Sequence, residues 1–169
     1  MKKHLSILLI LTLTVVTNLK TQNLTIDQLI TLRSKSLGDI EEFLTARKWE
    51  FYHALDPSDT SMGSAMFKFK KLNSNLYIDY LYHLNRNNAI QYSIEQIKED
   101  LTEYNILISR IKLLGYKLQN SDVLNGSIIK IYRLGDNSIK ITITKEYLGN
   151  YMNSYYSTYK FLFEKQSSN

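Results

Sequence analysis

The sequence of 169 residues contains no cysteine, one proline, six glycines and one tryptophan. Without cysteine the chain can form no disulfide framework, and it offers no cysteine for a lipoprotein anchor. One proline and few glycines indicate that no flexible linker divides the chain. The composition therefore favours a single folded unit without covalent cross-links.

The sequence also lacks the short motifs that mark common active sites. No Gly-rich phosphate loop, no G-x-S-x-G nucleophile elbow and no H-E-x-x-H zinc motif occurs. After His4, only His53 and His83 remain, and neither has metal-ligand spacing to Asp56 or Asp59. The calcium loop of an EF-hand is missing as well. We therefore predict no catalytic, cofactor-binding or metal-binding residues.

Residues 1–21 have the pattern of a secretory signal peptide. Lys2 and Lys3 are followed by an apolar run from Leu5 to Val16 and a polar stretch from Thr17 to Asn23. The apolar run is shorter than the roughly 20 residues that a membrane-spanning helix needs. This favours cleavage between residues 17 and 23 over a membrane anchor, with no transmembrane span in the mature chain. An exported chain without cysteine is typical of bacteria, so we predict a periplasmic or secreted protein.

Removal of the signal peptide changes the charge balance. Three of the 21 Lys and Arg residues lie in residues 1–21 and none of the 16 acidic residues does, which lowers the net charge from +5 to +2. A net charge of this size does not favour nucleic-acid binding, and no nucleic-acid partner is predicted. The remaining chain of about 148 residues has the length of one domain.

Two stretches have helical spacing. The stretch from Thr25 to Phe51 opens with a capping pattern. Its apolar spacing is then interrupted, and Ser36 can cap a second helix, so this stretch predicts two short helices or one broken helix. Ser93 to Leu118 opens with a similar pattern and predicts one long amphipathic helix that ends at Gly115 and runs into a strand. Its apolar stripe consists of Ile94, Ile97, Leu101, Tyr104, Ile108 and Ile111.

Eight stretches of the chain predict strands, most of them by alternation of apolar and polar residues. They are Trp49 to Tyr52, Met66 to Lys70, Leu76 to Leu84, Ala89 to Tyr92, Gly115 to Asn120, Ser127 to Leu134, Ser138 to Glu146 and Tyr155 to Lys165. Asn125-Gly126 is a hairpin signal between two of them.

The order of elements predicts an α+β fold of two tandem repeats, residues 22–92 and 93–169. Each repeat has a helix or helix pair followed by about four antiparallel strands, with the helices packed on one sheet face. This order resembles the β-lactamase-inhibitor-protein-like architecture and that of the SmpA/OmlA group of envelope proteins. The resemblance covers nearly all of the mature chain as an order of elements and implies no functional residues, because no family motif is matched.

One sheet face should stay open, because helices cover the other. If the isoleucine and phenylalanine faces of the strands form the core, the open face presents lysines interleaved with some of the 13 tyrosines. The predicted partner-binding residues are Lys68, Lys70, Tyr77, Lys130, Tyr132, Lys140, Tyr156 and Lys160. Tyrosine supplies contact area and lysine supplies positive potential. The alternative is that lysine keeps the sheet soluble and tyrosine is a good strand former.

These observations predict a non-catalytic binding protein that uses no cofactor. It would dock a protein or an acidic envelope component on the open face, as an inhibitor, an immunity protein or an envelope-assembly accessory. The alternative is a periplasmic or secreted enzyme, such as a hydrolase, with an unrecognised site. An acidic and histidine cluster around His53 or His83 would favour the enzyme.

Overall fold

The computed structural model of the protein describes residues 24–72, 74–83, 86–96, 101–147 and 155–165. These residues form three helices and an eight-stranded antiparallel sheet, so the predicted α+β class is confirmed. The predicted signal peptide and its cleavage region lie outside the described residues.

The first two helices are short, and each begins with a capping box. α1 spans Ile26–Leu32 and α2 spans Leu37–Thr45. The hydroxyl of Thr25 accepts a hydrogen bond from the Gln28 amide at 3.2 Å, and the Gln28 side chain accepts one from the Thr25 amide at 2.9 Å. Ser36 caps α2 in the same way. Each box satisfies amides that a helix start leaves without partners, and of the two predicted alternatives the structure has two short helices rather than one broken helix.

The eight strands form one antiparallel sheet. They are β1 (Glu50–Leu55), β2 (Gly63–Lys70), β3 (Ser74–His83), β4 (Arg86–Gln96), β5 (Lys117–Leu124), β6 (Ser127–Leu134), β7 (Asn137–Tyr147) and β8 (Tyr155–Lys165). Their order across the sheet is β1-β2-β3-β4-β8-β7-β6-β5. Each half of the chain contributes four neighbouring strands, and β4 pairs with β8 where the halves meet. Each of the eight predicted strands overlaps one of these.

The third helix, α3, spans Thr102–Leu113, and the prediction that it begins at Ser93 is wrong. β4 continues to Gln96, and Ile94 is fully buried between Leu76 of β3 and Tyr159 of β8. A strand bonded on both sides pairs its backbone groups along its whole length, and this outweighs the local capping pattern. The predicted boundary between residues 92 and 93 therefore falls inside a strand.

All three helices pack against the same sheet face and close one hydrophobic core. Its buried residues include Leu29, Leu44 and Ile111 from the helices and Phe67, Ile78, Tyr92, Ile141 and Phe161 from the sheet. A polar tie joins α3 to the sheet, because the Tyr92 hydroxyl donates to Glu103 at 2.7 Å and Lys71 pairs with Glu103 at 2.9 Å. These contacts leave the opposite sheet face free of any described helix.

Two left-handed residues form the turn between β5 and β6. Asn125 has φ 50° and Gly126 has φ 74°. A two-residue hairpin whose turn matches the strand twist needs positive φ at both positions, which Asn and Gly tolerate best. The predicted hairpin at Asn125-Gly126 is confirmed.

Candidate binding site on the open sheet face

Six of the eight predicted partner-binding residues lie on the sheet face without helices, which we call the open face. Lys68 lies opposite Tyr77, Tyr77 opposite Ser93, and Ser93 opposite Lys160, in one row across four strands. Residues directly opposite in an antiparallel pair point to the same face. The six are Lys68, Lys70, Tyr77, Lys140, Tyr156 and Lys160.

The other two, Lys130 and Tyr132, lie on the helix-covered face, so their predicted placement is wrong. Lys130 is opposite Ile141, and Tyr132 is opposite Ile139 and only 4 % exposed. The Lys130 ammonium lies 3.4 Å from the Tyr104 hydroxyl of α3. β6 carries isoleucines on both faces, so its pattern alone does not decide which face is buried.

Lys68 is held against two tyrosine rings of the open face. Its ammonium lies 5.3 Å from the centre of the Tyr52 ring and 5.4 Å from that of Tyr77. The two ring centres are 6.1 Å apart, and the ring planes are inclined at 64° to each other. A cation at this distance from an aromatic face is attracted by the electron-rich ring. This corner of the open face therefore already holds one ammonium group.

Glu95 lies between the phenols of Tyr77 and Tyr156. Burial, followed by the hydrogen bond to Glu95 and its negative charge, raises the pKa of Tyr77 to about 12. The same causes, burial first, raise the pKa of Tyr156 above its ordinary value. Both phenols therefore stay protonated and can donate to the carboxylate, which orients their rings on the open face.

Asp79 is a carboxyl side chain buried in the floor of the open face. It is 8 % exposed. Gln91 Nε2 donates to its Oδ2 at 3.5 Å, whereas Oδ1 has no hydrogen-bond partner among the described residues. Burial raises the pKa of Asp79, and the positive charges of Lys160 and His53 oppose that rise. A buried oxygen without a donor costs stability, about 1–3 kcal/mol for a typical polar group.

These side chains surround a concavity of about 310 Å³, which we call the Asp79 well. Its lining includes Tyr52, Tyr77, Asp79, Ser93, Glu95 and Lys160. It carries two carboxyl groups and one lysine, with a tyrosine pair at one side. Aromatic walls around a few polar groups are typical of a site that recognises a ligand group.

Two larger grooves run along the helices. One, of about 550 Å³, is lined by residues such as Leu32 and Phe43 of α1 and α2. The other, of about 490 Å³, lies between the start of α1 and α3 and includes Leu24 and Ile106. Among the described residues, three buried side chains carry a polar atom without a hydrogen-bond partner, and none of the three lines either groove. The Asp79 well has such an atom and is therefore the better candidate site.

Sequence reasoning missed Asp79, Glu95 and Tyr52 as site residues. Asp79 had one usable signal, because it is the one acidic side chain of β3 and stands between Ile78 and Tyr80. A charged residue in the middle of a long strand is unusual unless it has a partner or a role. The predicted helix from Ser93 includes Glu95, which hides its place on the sheet, and the face of Tyr52 depends on a register shift in β1 between Phe51 and His53.

Among the described residues, His53 forms no metal site with the acidic residues. His53 lies exposed on β1, opposite Met66, which in turn lies opposite Asp79. The described part of the chain contains no group of three or more His, Asp or Glu side chains that could hold a metal ion. His53 is separated from Asp79 by the intervening strand β2.

Comparisons with models of protein families, with curated proteins and with solved structures each found no match to this chain. Within the described ranges, no helix has both the length and the apolar character needed to cross a bilayer. What the chain does must therefore be inferred from the open face and the Asp79 well.

Proposed function

We propose that the chain is an exported, non-catalytic binding protein that docks a protein partner on its open face. The observation that carries this proposal is the sheet itself, which has helices on one side and a row of lysine and tyrosine side chains on the other. An inhibitor or immunity protein against a secreted enzyme, or an envelope-assembly accessory, is the form that such binding would take.

The charges of the open face favour a protein over a polyanion as the partner. Lys140 and Lys160 are exposed and would attract acidic groups, but Asp79 lies in the same row as Lys140, and Glu95 lies in the row next to that of Lys160. A polyanion would be repelled by these carboxyl groups, whereas a protein surface can present both signs of charge. Tyr52 and Tyr77 add rigid aromatic area of the kind enriched in protein interfaces.

Charge reversal on the open face tests the proposal. The double variant Lys140→Glu and Lys160→Glu should fold normally, because exposed strand positions usually tolerate such changes to within about 0.5 kcal/mol each. Its capture of the protein partner from the envelope fraction of the native host should fall by about tenfold or more, chiefly through slower association. Wild-type capture should weaken as salt is added, because surface charges are screened.

Lys35 and Lys112 provide the matched control, because both are exposed on the helix side of the molecule. Reversing these two charges changes the net charge equally and should leave capture intact. Capture that survives the Lys140 and Lys160 reversals, or that is lost equally in the control pair, would place the partner elsewhere.

Export belongs to the same proposal and rests on residues 1–21 alone. A protein recovered from the native host should lack this segment, with a new first residue between 17 and 23. Intact mass measures this directly. A mature chain that still carries Met1 would contradict export through a cleaved signal peptide.

We also propose that the two halves arose by internal duplication. Both halves have helix before strand, and each contributes four neighbouring strands to one side of the β4–β8 junction. The first half has two helices and the second has one among the described residues. Superposition of residues 26–96 on residues 102–165 should align the four strands in order; strands that superpose only in a permuted order would remove this proposal.

An enzyme remains the second candidate, because Asp79 has the features of an acid group in a site. It is buried, its pKa is raised by burial, and it faces a concavity. A hydrolase that used Asp79 would lose turnover of its substrate in Asp79→Asn. Turnover of ester, peptide or glycoside substrates that disappears in this variant would favour the enzyme over the binding protein.

A further inference from the structure

We propose that the Asp79 well receives the ammonium group of a lysine side chain from the protein partner. This inference rests on the proposed docking of a protein on the open face and adds the chemistry of one contact. It would make the well the anchor point of the interface, with Lys140 and Lys160 around it.

The first observation is the unused acceptor of Asp79. Oδ1 is buried, and no described residue donates a hydrogen bond to it or forms an ion pair with the carboxyl group within 4.0 Å. Lys160 lines the same well, but its ammonium group is not within the 4.0 Å ion-pair distance of the Asp79 carboxyl group. A donor that arrives from outside would remove the cost of this buried oxygen, so binding energy is available at this position.

The second observation is the charge of the lining. Asp79 and Glu95 contribute two carboxyl groups, against one ammonium group from Lys160. Lys68 stands beside the well but is held against the rings of Tyr52 and Tyr77. The lining therefore favours a group with a single positive charge, and Lys68 shows that this face accommodates an ammonium next to aromatic rings.

The free oxygens favour lysine over arginine. A guanidinium group binds best to a carboxylate through two parallel hydrogen bonds that use both oxygens. Asp79 has one oxygen, Oδ1, without a donor among the described residues, whereas Oδ2 already accepts from Gln91 and Glu95 accepts from the hydroxyls of Tyr77 and Tyr156. A compact ammonium group needs one good acceptor, and its flexible apolar stem can lie along Met66 in the wall of the well.

The test uses the whole mature protein and a small probe. The probe is lysine blocked at both ends (N-acetyl-lysine methylamide), with equally blocked arginine and norleucine as comparisons. Amide chemical shifts are followed by nuclear magnetic resonance during titration. Blocked lysine should shift the amides of Tyr77, Asp79, Gln91 and Ser93, and norleucine should not. Asp79→Asn should weaken lysine binding by about tenfold or more, because the charge partner is lost.

Asp122→Asn is the matched control. Asp122 is an exposed carboxyl on edge strand β5, on the same sheet face but far from the well. The Asp122→Asn variant should bind blocked lysine as tightly as the wild type does. Lys160→Met should bind the probe more tightly, because it removes the like charge from the lining. Equal binding by Asp79→Asn and wild type, or tighter binding of arginine than of lysine, would overturn the inference.

Thermal unfolding shows separately whether Asp79→Asn folds, and the raised pKa of Asp79 gives the direction of the expected change in stability. A raised pKa means that the ionised carboxyl disfavours the folded state, so its cost is absent in acid and grows as pH rises above the ordinary value of 3.8. Lys160, His53, Gln91 and Glu95 are the polar and charged groups around it. Asp79→Asn should therefore melt about 3 °C above the wild type at pH 7, and near the wild type at pH 3. A lower melting temperature for Asp79→Asn than for the wild type at pH 7 would contradict the inference that the Asp79 carboxyl group costs stability in the folded protein.

The two proposals fail in different ways. If reversal of Lys140 and Lys160 abolishes capture of the partner while Asp79→Asn captures it at full strength, docking on the open face stands and the lysine contact falls. If neither change affects capture, the open face is not the interface, and docking and the lysine contact fall together.

Discussion

Replacing Ile78 with aspartate is expected to unfold the protein. Ile78 is fully buried in β3, between Phe67 of β2 and Tyr92 of β4. A carboxylate placed there would lose its water and meet only apolar neighbours on both flanking strands. The cost of several kcal/mol is comparable with the whole stability of a domain, about 5–15 kcal/mol. Ile141 is a weaker test, because Lys130 lies directly opposite and offers a partner.

Trp49 is the natural reporter for this experiment, because it is the single tryptophan of the chain and is only 2 % exposed. Its fluorescence should shift to the red in Ile78→Asp without any denaturant. Lys140→Asp is the control, because this side chain is exposed on the open face of β7. A native-like emission from Ile78→Asp would mean that this sheet face is not the core.

The strands were predictable because their alternation is a physical signal. In β7, Ile139 and Ile141 are buried while Lys140 is exposed, and in β8 Phe161 and Phe163 are buried while Lys160 is exposed. Successive side chains of a strand point to opposite faces of the sheet, so the residues that are buried on one face identify the residues that lie on the other. The helix starts at Thr25 and Ser36 were predictable for a similar reason, since their capping bonds are local.

The start of α3 was not predictable from local pattern. Ser93 to Gln96 has the letters of a capping box, and Ile94 also fits a helical stripe. What decides the outcome is the pairing of β4 with β3 on one side and β8 on the other, and β8 comes from the far end of the chain. Tertiary contacts of this range override local preference, and no local window contains them.

The sequence predicted the exposed lysines of the open face but not the buried carboxyl group of Asp79. Lys68, Lys140 and Lys160 follow from alternation, whereas the Asp79 well depends on which strands become neighbours. Lys130 shows the opposite error, because isoleucine on both faces of β6 left the direction of that lysine undetermined. The strongest feature of the site is the Asp79 oxygen that has no partner among the described residues, and it depends on the strand pairing that places Gln91 and Met66 beside Asp79.

Replacing Trp49 with alanine is expected to cause the second-largest loss of stability. Trp49 joins α2 to β1, directly after Lys48, which adopts a left-handed φ of 65°. Its ring centre lies 5.7 Å from that of Phe69 and 6.4 Å from that of Tyr92. Alanine would leave a cavity where the first half of the chain packs its helices on the sheet. Removal of a buried tryptophan side chain typically lowers the free energy of unfolding by about 3–5 kcal/mol.

Trp49→Phe separates packing from hydrogen bonding at the same position. The indole Nε1 is buried and has no hydrogen-bond partner among the described residues, so phenylalanine loses ring volume but no hydrogen bond. It should therefore cost less than about half as much as alanine. Urea unfolding followed by circular dichroism measures both variants, because neither retains the fluorescent side chain. If phenylalanine costs as much as alanine, the indole N–H is bonded in the native protein, and the packing of Trp49 on Phe69 and Tyr92 is not what holds α2 to the sheet.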